Sequence, residues 1–492
     1  MGNTWFAWLL GLPVGGAVIA SLVLRFARRG VASSRARLEA IALSCAAGGI
    51  VIAMAVALAA VGRVVFFGAA FDVTPLTHIM LFVVNAALLC SLFITWGNRE
   101  YAEKDTAVWS MPVTSALLAG AQLAEDGVIS ILWLLGAALV IVAAACAMPA
   151  FQRAEGHVAT TGGVDTRLTQ AKRITGGLKH LTSSVVGTGL LVVGVLLLSR
   201  YGLNLENKAL LQLGVGLISV GLLVRAGAMP FASASSDLVD AAPGPATALF
   251  SALTPAVLLV GLMLLLPVER TLLAGNSTAW VGAVAVLLAG VRALGVHLPG
   301  RNTFPGNGEP PSLVPGELVS ATIAVQVGWA LTGLLLGSHS GAAGALLLAV
   351  NLSLAVPLMV VSARGLLESG SVLFKVGLAI SVASLLGLPP LGGFAGTLLV
   401  AQGVTVLGGF WILLILFGSM LVAAKWLGLT RVWVGVGGQG SGVGDQGSGM
   451  RRYLRTDVVL VVVLVISQLG LLALSSLLAD LVATLASPWL GP

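Results

Sequence analysis

Charge is what this sequence has least of. Only 9% of its 492 residues are charged against 58% that are hydrophobic, which excludes a soluble fold with a polar exterior. A mean hydropathy of +1.03 makes lipid the solvent for most of the chain. Cysteine is scarce as well. Cys45, Cys90 and Cys146 lie in apolar runs with no close spacing, so neither a disulfide framework nor a metal site is suggested, and they read as small core residues. No stretch has the form of a nucleotide loop, a flavin site or a cysteine set for an iron–sulfur cluster, so no cofactor is expected in this chain. No segment between the apolar runs is long enough for a further domain. The two longest, residues 150–180 and 431–453, are polar or glycine-rich loops in this reading, and 435–452 reads as a flexible linker.

Apolar runs, by contrast, recur from end to end. A helix needs roughly 20 apolar residues to cross the bilayer core. Fourteen such runs centre near residues 15, 50, 85, 115, 138, 190, 219, 255, 288, 325, 351, 385, 415 and 470, which predicts an all-α polytopic membrane protein with about fourteen spans. The pI of about 9.8 raises the question of a polyanionic partner. Threading the spans with the N-terminus outside puts 20 of the 26 Lys and Arg in or beside cytoplasmic loops, 4 outside (Arg63, Arg200, Lys208, Arg270) and 2 within helices (Arg225, Arg292). That is the positive-inside bias, so topology accounts for the basic charge and no nucleic-acid partner is required. The first run lacks a basic segment before it and a small-residue cleavage site after it, so it reads as a retained helix, with both termini outside.

Two runs are interrupted. In GLLVRAGAMPFASASSDLVDAAPGPATALF (221–250), Arg225 and Pro230 stand in an apolar run followed by Asp237, Asp240 and Pro243-Gly244-Pro245. Charge at membrane depth is costly and is held toward a bundle interior or a wet cavity, and broken helix is tolerated there only where protein or water satisfies it. In SVLFKVGLAISVASLLGLPPLGGFAGTLLV (371–400), Pro389-Pro390 and Gly392-Gly393 interrupt the second run, about 160 residues on. Paired discontinuous helices point to a transporter scaffold of inverted repeats. Five spans per repeat place the breaks in spans 4–8 and 9–13. The resulting layout is a single membrane domain: N-terminal helices over 1–106, a first repeat over 107–268, a second over 278–430, the loop 431–453 and a last helix over 454–488.

These residues resemble the antiporter-like membrane subunits of NADH-quinone oxidoreductase, membrane-bound hydrogenases and multisubunit cation/proton antiporters. The family pattern of a lysine, a proline five residues on, an aspartate seven beyond and then Pro-x-Pro is matched by Arg225, Pro230, Asp237 and Pro243-Gly244-Pro245. ATIAVQVGWALTGLLLG (321–337) is similar to the family's tenth span and SLLGLPPLGGFAG (384–396) to its twelfth. The length is most like the N-type subunit. The resemblance implies a bacterial or archaeal inner membrane, other membrane subunits as partners, and proton or cation translocation coupled to redox chemistry elsewhere in a complex.

It also exposes departures. The family's presumed proton route is a row of ionisable side chains, and here the fifth span reads Trp133-Leu134 in place of a glutamate. The eighth offers Ser251 to Pro255 where lysine or histidine is expected, the eleventh Asn351 and the twelfth Thr397. Arg225 survives, and a guanidinium stays charged, so it can set a potential or bind an anion but relays protons poorly. Because an unpaired membrane charge is the costlier state, Arg225 is expected to pair with Asp237, Asp240 or a carboxylate of a neighbouring subunit. Further midplane candidates are Lys375, whose position near a span end suggests snorkelling, as for Lys425; His78, a proton carrier by chemistry or a packed histidine; and Gln326, which lines a wet path or bonds across helices. Glu39 and Asp72 read as solvated span ends. The depleted row leaves three readings: a subunit with reduced conduction, a non-conducting structural subunit, and a membrane partner in coupled inorganic-carbon uptake.

Overall fold

A computed structural model describes residues 5–29, 32–59, 62–66, 69–96, 101–147, 163–201, 208–228, 230, 233–265, 279–296, 315–369, 371–405, 408–436 and 458–471. All fourteen run centres fall inside helices. Lipid offers the backbone no hydrogen bonds, so apolar runs of this length close their own N–H and C=O groups as helices. In chain order these are α1 (Trp5–Arg29), α2 (Ala32–Ala59), α3 (Pro75–Trp96), α4 (Tyr101–Leu123), α5 (Gly127–Ala147), α6 (Gly163–Tyr201), α7 (Lys208–Arg225) and α8 (Ser233–Ala241). They continue as α9 (Pro243–Leu265), α10 (Ala279–Gly295), α11 (Gly316–Leu335), α12 (His339–Ser369), α13 (Val372–Leu385), α14 (Gly392–Val404), α15 (Gly409–Val436) and α16 (Val458–Leu471). Among the described residues, nine helices are long and apolar enough to cross a membrane, and shorter apolar helices accompany them.

The chain forms two compact units, Met1–Ala226 with Asp237–Pro267 and Gly227–Ser236 with Val268–Pro492. In the first, α6 and α7 pack antiparallel through glycines seven residues apart. A Cβ on Gly187 would lie 3.1 Å from the Gly221 carbonyl, and one on Gly194 2.8 Å from that of Gly214. Small residues let membrane helices approach closely where no hydrophobic force between helices drives them together. One turn beyond this seam stand Ser184 on α6 and Arg225 on α7. Helix α9 contains a π turn over Leu249–Leu253, with the Thr254 amide donating to the Leu249 carbonyl. Pro255 is its cause: proline has no N–H for the carbonyl four residues back and crowds it, so the ladder slips by one.

In the second unit, α12 and α14 meet in the same way, a Cβ on Gly344 falling 2.7 Å from the Gly396 carbonyl. Helix α11 is buried along its whole apolar window. Two indoles tie it to α15: Trp426 Nε1 of α15 donates to Thr322 Oγ1 at 2.8 Å, and Trp329 Nε1 of α11 donates to Ser419 Oγ at 3.1 Å.

Several expectations need correction. The polar stretch 150–180 is not a loop throughout, since α6 begins at Gly163. Its basic end has fixed acceptors, Arg173 donating to the Ala241 carbonyl and Lys179 to Asp237. Glu39 is not solvated. It pairs with Lys104 at 3.0 Å, the two side chains only 18% and 7% exposed. The all-α expectation missed a short antiparallel hairpin, Val64–Phe66 with Ala69–Phe71, between α2 and α3. Phe71 of that hairpin packs on Phe6 of α1 with ring centroids 4.1 Å apart, and Val64 joins the same buried cluster. Cys45, Cys90 and Cys146 are free and partly buried, Cys146 packing against Gly177. Most of the 435–452 linker and both ends of the 454–488 helix lie outside the described residues.

Candidate functional site

Both interruptions take the same local form. Helix α7 stops at Arg225 and Gly227 follows with φ +68°; α13 stops at Leu385 and Gly387 follows with φ +70°. A left-handed residue just past a helix end, usually glycine, lets the chain turn while capping the last carbonyls. At the second break the amide of Leu388 donates to Ala383 O at 2.8 Å and that of Gly387 to Ser384 O at 3.1 Å, which completes the cap. Pro230 lies in the first turn, and Pro389 and Pro390 in the second, joined by a cis peptide.

The first break is built around Arg225. Its side chain is 2% exposed, donating through Nη1 to Ser184 Oγ at 2.8 Å and through Nη2 to the backbone carbonyl of Leu134 on α5. Its Nε has no acceptor. Leu134 is the position at which the family resemblance expects a glutamate; the guanidinium takes the peptide oxygen there. The negative end of α7 supplies further compensation, because carbonyl dipoles at a helix C-terminus favour a cation. Ser184 Oγ in turn lies 3.2 Å from Nε2 of His180, a histidine 3% exposed one turn earlier on α6.

The expected pairing of Arg225 with Asp237 or Asp240 is not what the structure holds. Asp237 pairs with Lys179 at 2.8 Å near the surface, and Asp240 is exposed. The reason is geometric. Helix α8 leaves the break so that Asp237 rests against Gly176, where a side chain would collide, and Lys179 follows one turn on. Ser184, which receives Arg225, is five to eight residues further along α6, roughly 8–12 Å at 1.5 Å per residue.

The second break carries no charge. Ser384, in the last turn of α13, places Oγ 2.7 Å from Asn351 Oδ1 on α12 and 2.7 Å from Gln468 Oε1 on α16, while Asn351 Nδ2 donates to the Ser384 carbonyl at 3.2 Å. All three side chains are fully buried. A single hydroxyl proton cannot serve two carbonyls at once, and the Gln468 amide nitrogen has no acceptor. Turning the Gln468 amide about its axis lets its NH2 donate to Ser384, which resolves the first conflict. Gly392 and Gly393 open α14 beneath this cluster, and Gly393 lies directly against the Ser384 carbonyl.

Of the remaining candidates, Thr397 packs against Gly387 at the second break, and the others stand apart from both breaks. His78 caps the start of α3, its Nδ1 3.1 Å from Thr74 O. Gln326 donates across helices to Leu348 O at 3.1 Å. Lys375 is half-buried in the first turn of α13, nine residues from Ser384. Lys425 reaches back to Leu294 O at 2.9 Å. Thr397 returns its hydroxyl to Phe394 O. Sequence reasoning missed His180, Ser184 and Gln468. A signal existed on α6, where His180, Ser184 and Thr188 recur every four residues as a polar stripe.

These features together are those of a known architecture. The chain matches one from the membrane-bound sulfane sulfur reductase, an archaeal respiratory membrane complex, with a TM-score of 0.69 at 17% identity over 99% of this chain and 97% of that one. It matches a chain of respiratory complex I from Thermus thermophilus with a TM-score of 0.64 at 17% identity, covering 96% and 98%. At such identities the likeness shows the fold alone. By sequence, 256 residues are 27% identical to NADH-quinone oxidoreductase subunit N of Granulibacter bethesdensis, 46% of this chain and 50% of that relative. The match thus spans about half the length of the curated relative. No family model matches. The resemblance drawn from the motifs to antiporter-like subunits is borne out, and the N-type in particular is the one that the sequence relatives represent.

Proposed function

We propose that the chain is an antiporter-like membrane subunit of an energy-converting respiratory complex, contributing to proton or cation translocation while partner subunits perform the redox chemistry. The observation that carries this reading is the pair of interrupted helices, each ended by a glycine at φ near +70° and each with its last turn bonded to the long helix before it, Arg225 to Ser184 and Ser384 to Asn351. That correspondence supports a first repeat over 107–268 and a second over 278–430, with the path near the breaks. Conduction by this chain is reduced. An arginine and a neutral Ser–Asn–Gln cluster stand where the resemblance expects a relay of lysines, histidines and carboxylates. The neutral second break equally favours a subunit that holds conducting neighbours in place.

Gentle solubilisation of the native membrane should recover the chain with other membrane subunits and with NADH or quinone oxidoreductase activity, and the isolated polypeptide should have none. Turnover by the chain alone, or recovery instead with a large soluble zinc protein, overturns the assignment, the latter in favour of carbon uptake. In the inner membrane, cysteine labels at 150–162 and 437–452 should react only from the cytoplasm and those beside Lys208 only from outside. Reversed labelling removes the orientation on which the repeat boundaries rest.

A further inference from the structure

His180 is a titratable side chain buried in the first unit and linked through one hydroxyl to Arg225, the buried cation that ends α7 at the first break. The direction of those two bonds follows from chemistry. A guanidinium has five N–H donors and no acceptor, so Ser184 Oγ must accept from Arg225. Ser184 keeps one proton and a second lone pair; with the proton directed at Nε2, 3.2 Å away, the ring's own proton lies on Nδ1. In that arrangement the chain Arg225 to Ser184 to His180 holds the neutral Nδ1–H tautomer.

Protonation of the ring reverses the second bond. An Nε2–H group must donate to Ser184, and the same oxygen would then sit between an imidazolium and a guanidinium in a buried site, where like charges interact strongly. Helix α5 brings Cys146, which lies beside Gly177; α7 brings Arg225; and the carboxylate of Asp237 on α8 is already held by Lys179, the residue before His180. Arg225, meanwhile, leaves its Nε–H without an acceptor, so an anionic group approaching that nitrogen could draw the guanidinium away from Ser184.

We propose that His180 is the proton-accepting group of the first unit, and that Arg225 acts on it through Ser184 as a positioning cation that decides whether it can be loaded. With Arg225 on Ser184, the ring is held neutral as the Nδ1–H tautomer. When the guanidinium leaves, an Nε2–H bond forms as an O–H bond of a protonated water breaks, and the Ser184 hydroxyl turns to accept. Among the described residues, the break of the second unit is built from the neutral side chains Ser384, Asn351 and Gln468. This inference rests on the translocation reading above and gives it a specific carrier.

The test is the protonation state of His180 in the full-length chain in lipid bilayers, read by nitrogen-15 NMR of labelled histidine, with His180→Gln identifying its signal among the five histidines. Between about pH 5 and 8, where an ordinary imidazole titrates, the wild type should show a neutral Nδ1–H ring throughout. Arg225→Gln keeps donors toward Ser184 and Leu134 O while removing the charge, and an imidazolium signal should appear at a higher pH than in the wild type. Ser184→Ala keeps the charge and removes the link; the ring should stay neutral but populate the Nε2–H tautomer. An imidazolium in the wild type, or a titration unchanged by Arg225→Gln in protein whose other histidine signals are native, overturns the proposal. Co-purification with partner subunits is read separately, so a chain that assembles yet leaves His180 unresponsive loses this inference and keeps the functional reading.

Discussion

Replacing Gly393 by alanine is expected to cost the chain most of its folded yield. A methyl at this position would overlap the Ser384 carbonyl and come within 2.9 Å of Asn351 Nδ2, so the two halves of the broken helix could no longer meet. The colliding atom is a backbone oxygen already accepting from Gly387 N and Asn351 Nδ2, and it cannot swing aside as a side chain would. Overpacking of a tight core costs about 1–3 kcal/mol when side chains adjust, and more when backbone must move. Gly189, on α6, has nothing within 4 Å of its Cβ position, and alanine there should be neutral or stabilising by up to about 1 kcal/mol because helical glycine is entropically costly. Monodisperse yield after mild detergent extraction, and thermal unfolding of what is recovered, separate the two. Equal behaviour of Gly393→Ala and Gly189→Ala would mean that the break is not as closely packed as described.

The helical, many-span architecture was legible because apolar length and backbone satisfaction leave so few alternatives in lipid. The breaks were legible too, since proline and glycine in an apolar run announce them. The partner of Arg225 was not. Sequence spacing offers Asp237 and Asp240 as the near carboxylates, whereas the outcome depends on where α8 lands on α6, and Gly176 and Lys179 decide that. The acceptor on Leu134 is a peptide oxygen, invisible to any reading of side chains. The polar stripe of His180 and Ser184 fell in or beside a segment taken for a loop, where its helical spacing carried no meaning. The hairpin at Val64–Phe71 was hidden by its brevity, being stabilised by aromatic burial against Phe6 rather than by any local pattern.

The other large effect is expected at the Glu39–Lys104 pair, which joins α2 to α4. Lys104→Met should destabilise the chain by about 3–5 kcal/mol, the cost of leaving a poorly solvated carboxylate without its ammonium. The pair is 3.0 Å apart with side chains 18% and 7% exposed, and the ammonium also lies 5.2 Å from the centre of the Trp96 ring, so its charge is compensated from two sides. Methionine preserves most of the stem's packing, which confines the loss to the charge. The surface pair Arg63–Glu125 is the natural comparison: with side chains 64% and 33% exposed, Arg63→Met should cost no more than about 1 kcal/mol. If burial is the cause, adding Glu39→Leu to Lys104→Met should recover most of the stability, since replacing both members of a buried pair by apolar groups is often neutral or better. Thermal unfolding of the three variants and the wild type in one detergent decides it. A Lys104→Met protein as stable as Arg63→Met would show the pair to be hydrated, and a double variant no better than the single would place the loss in packing around Trp96 instead.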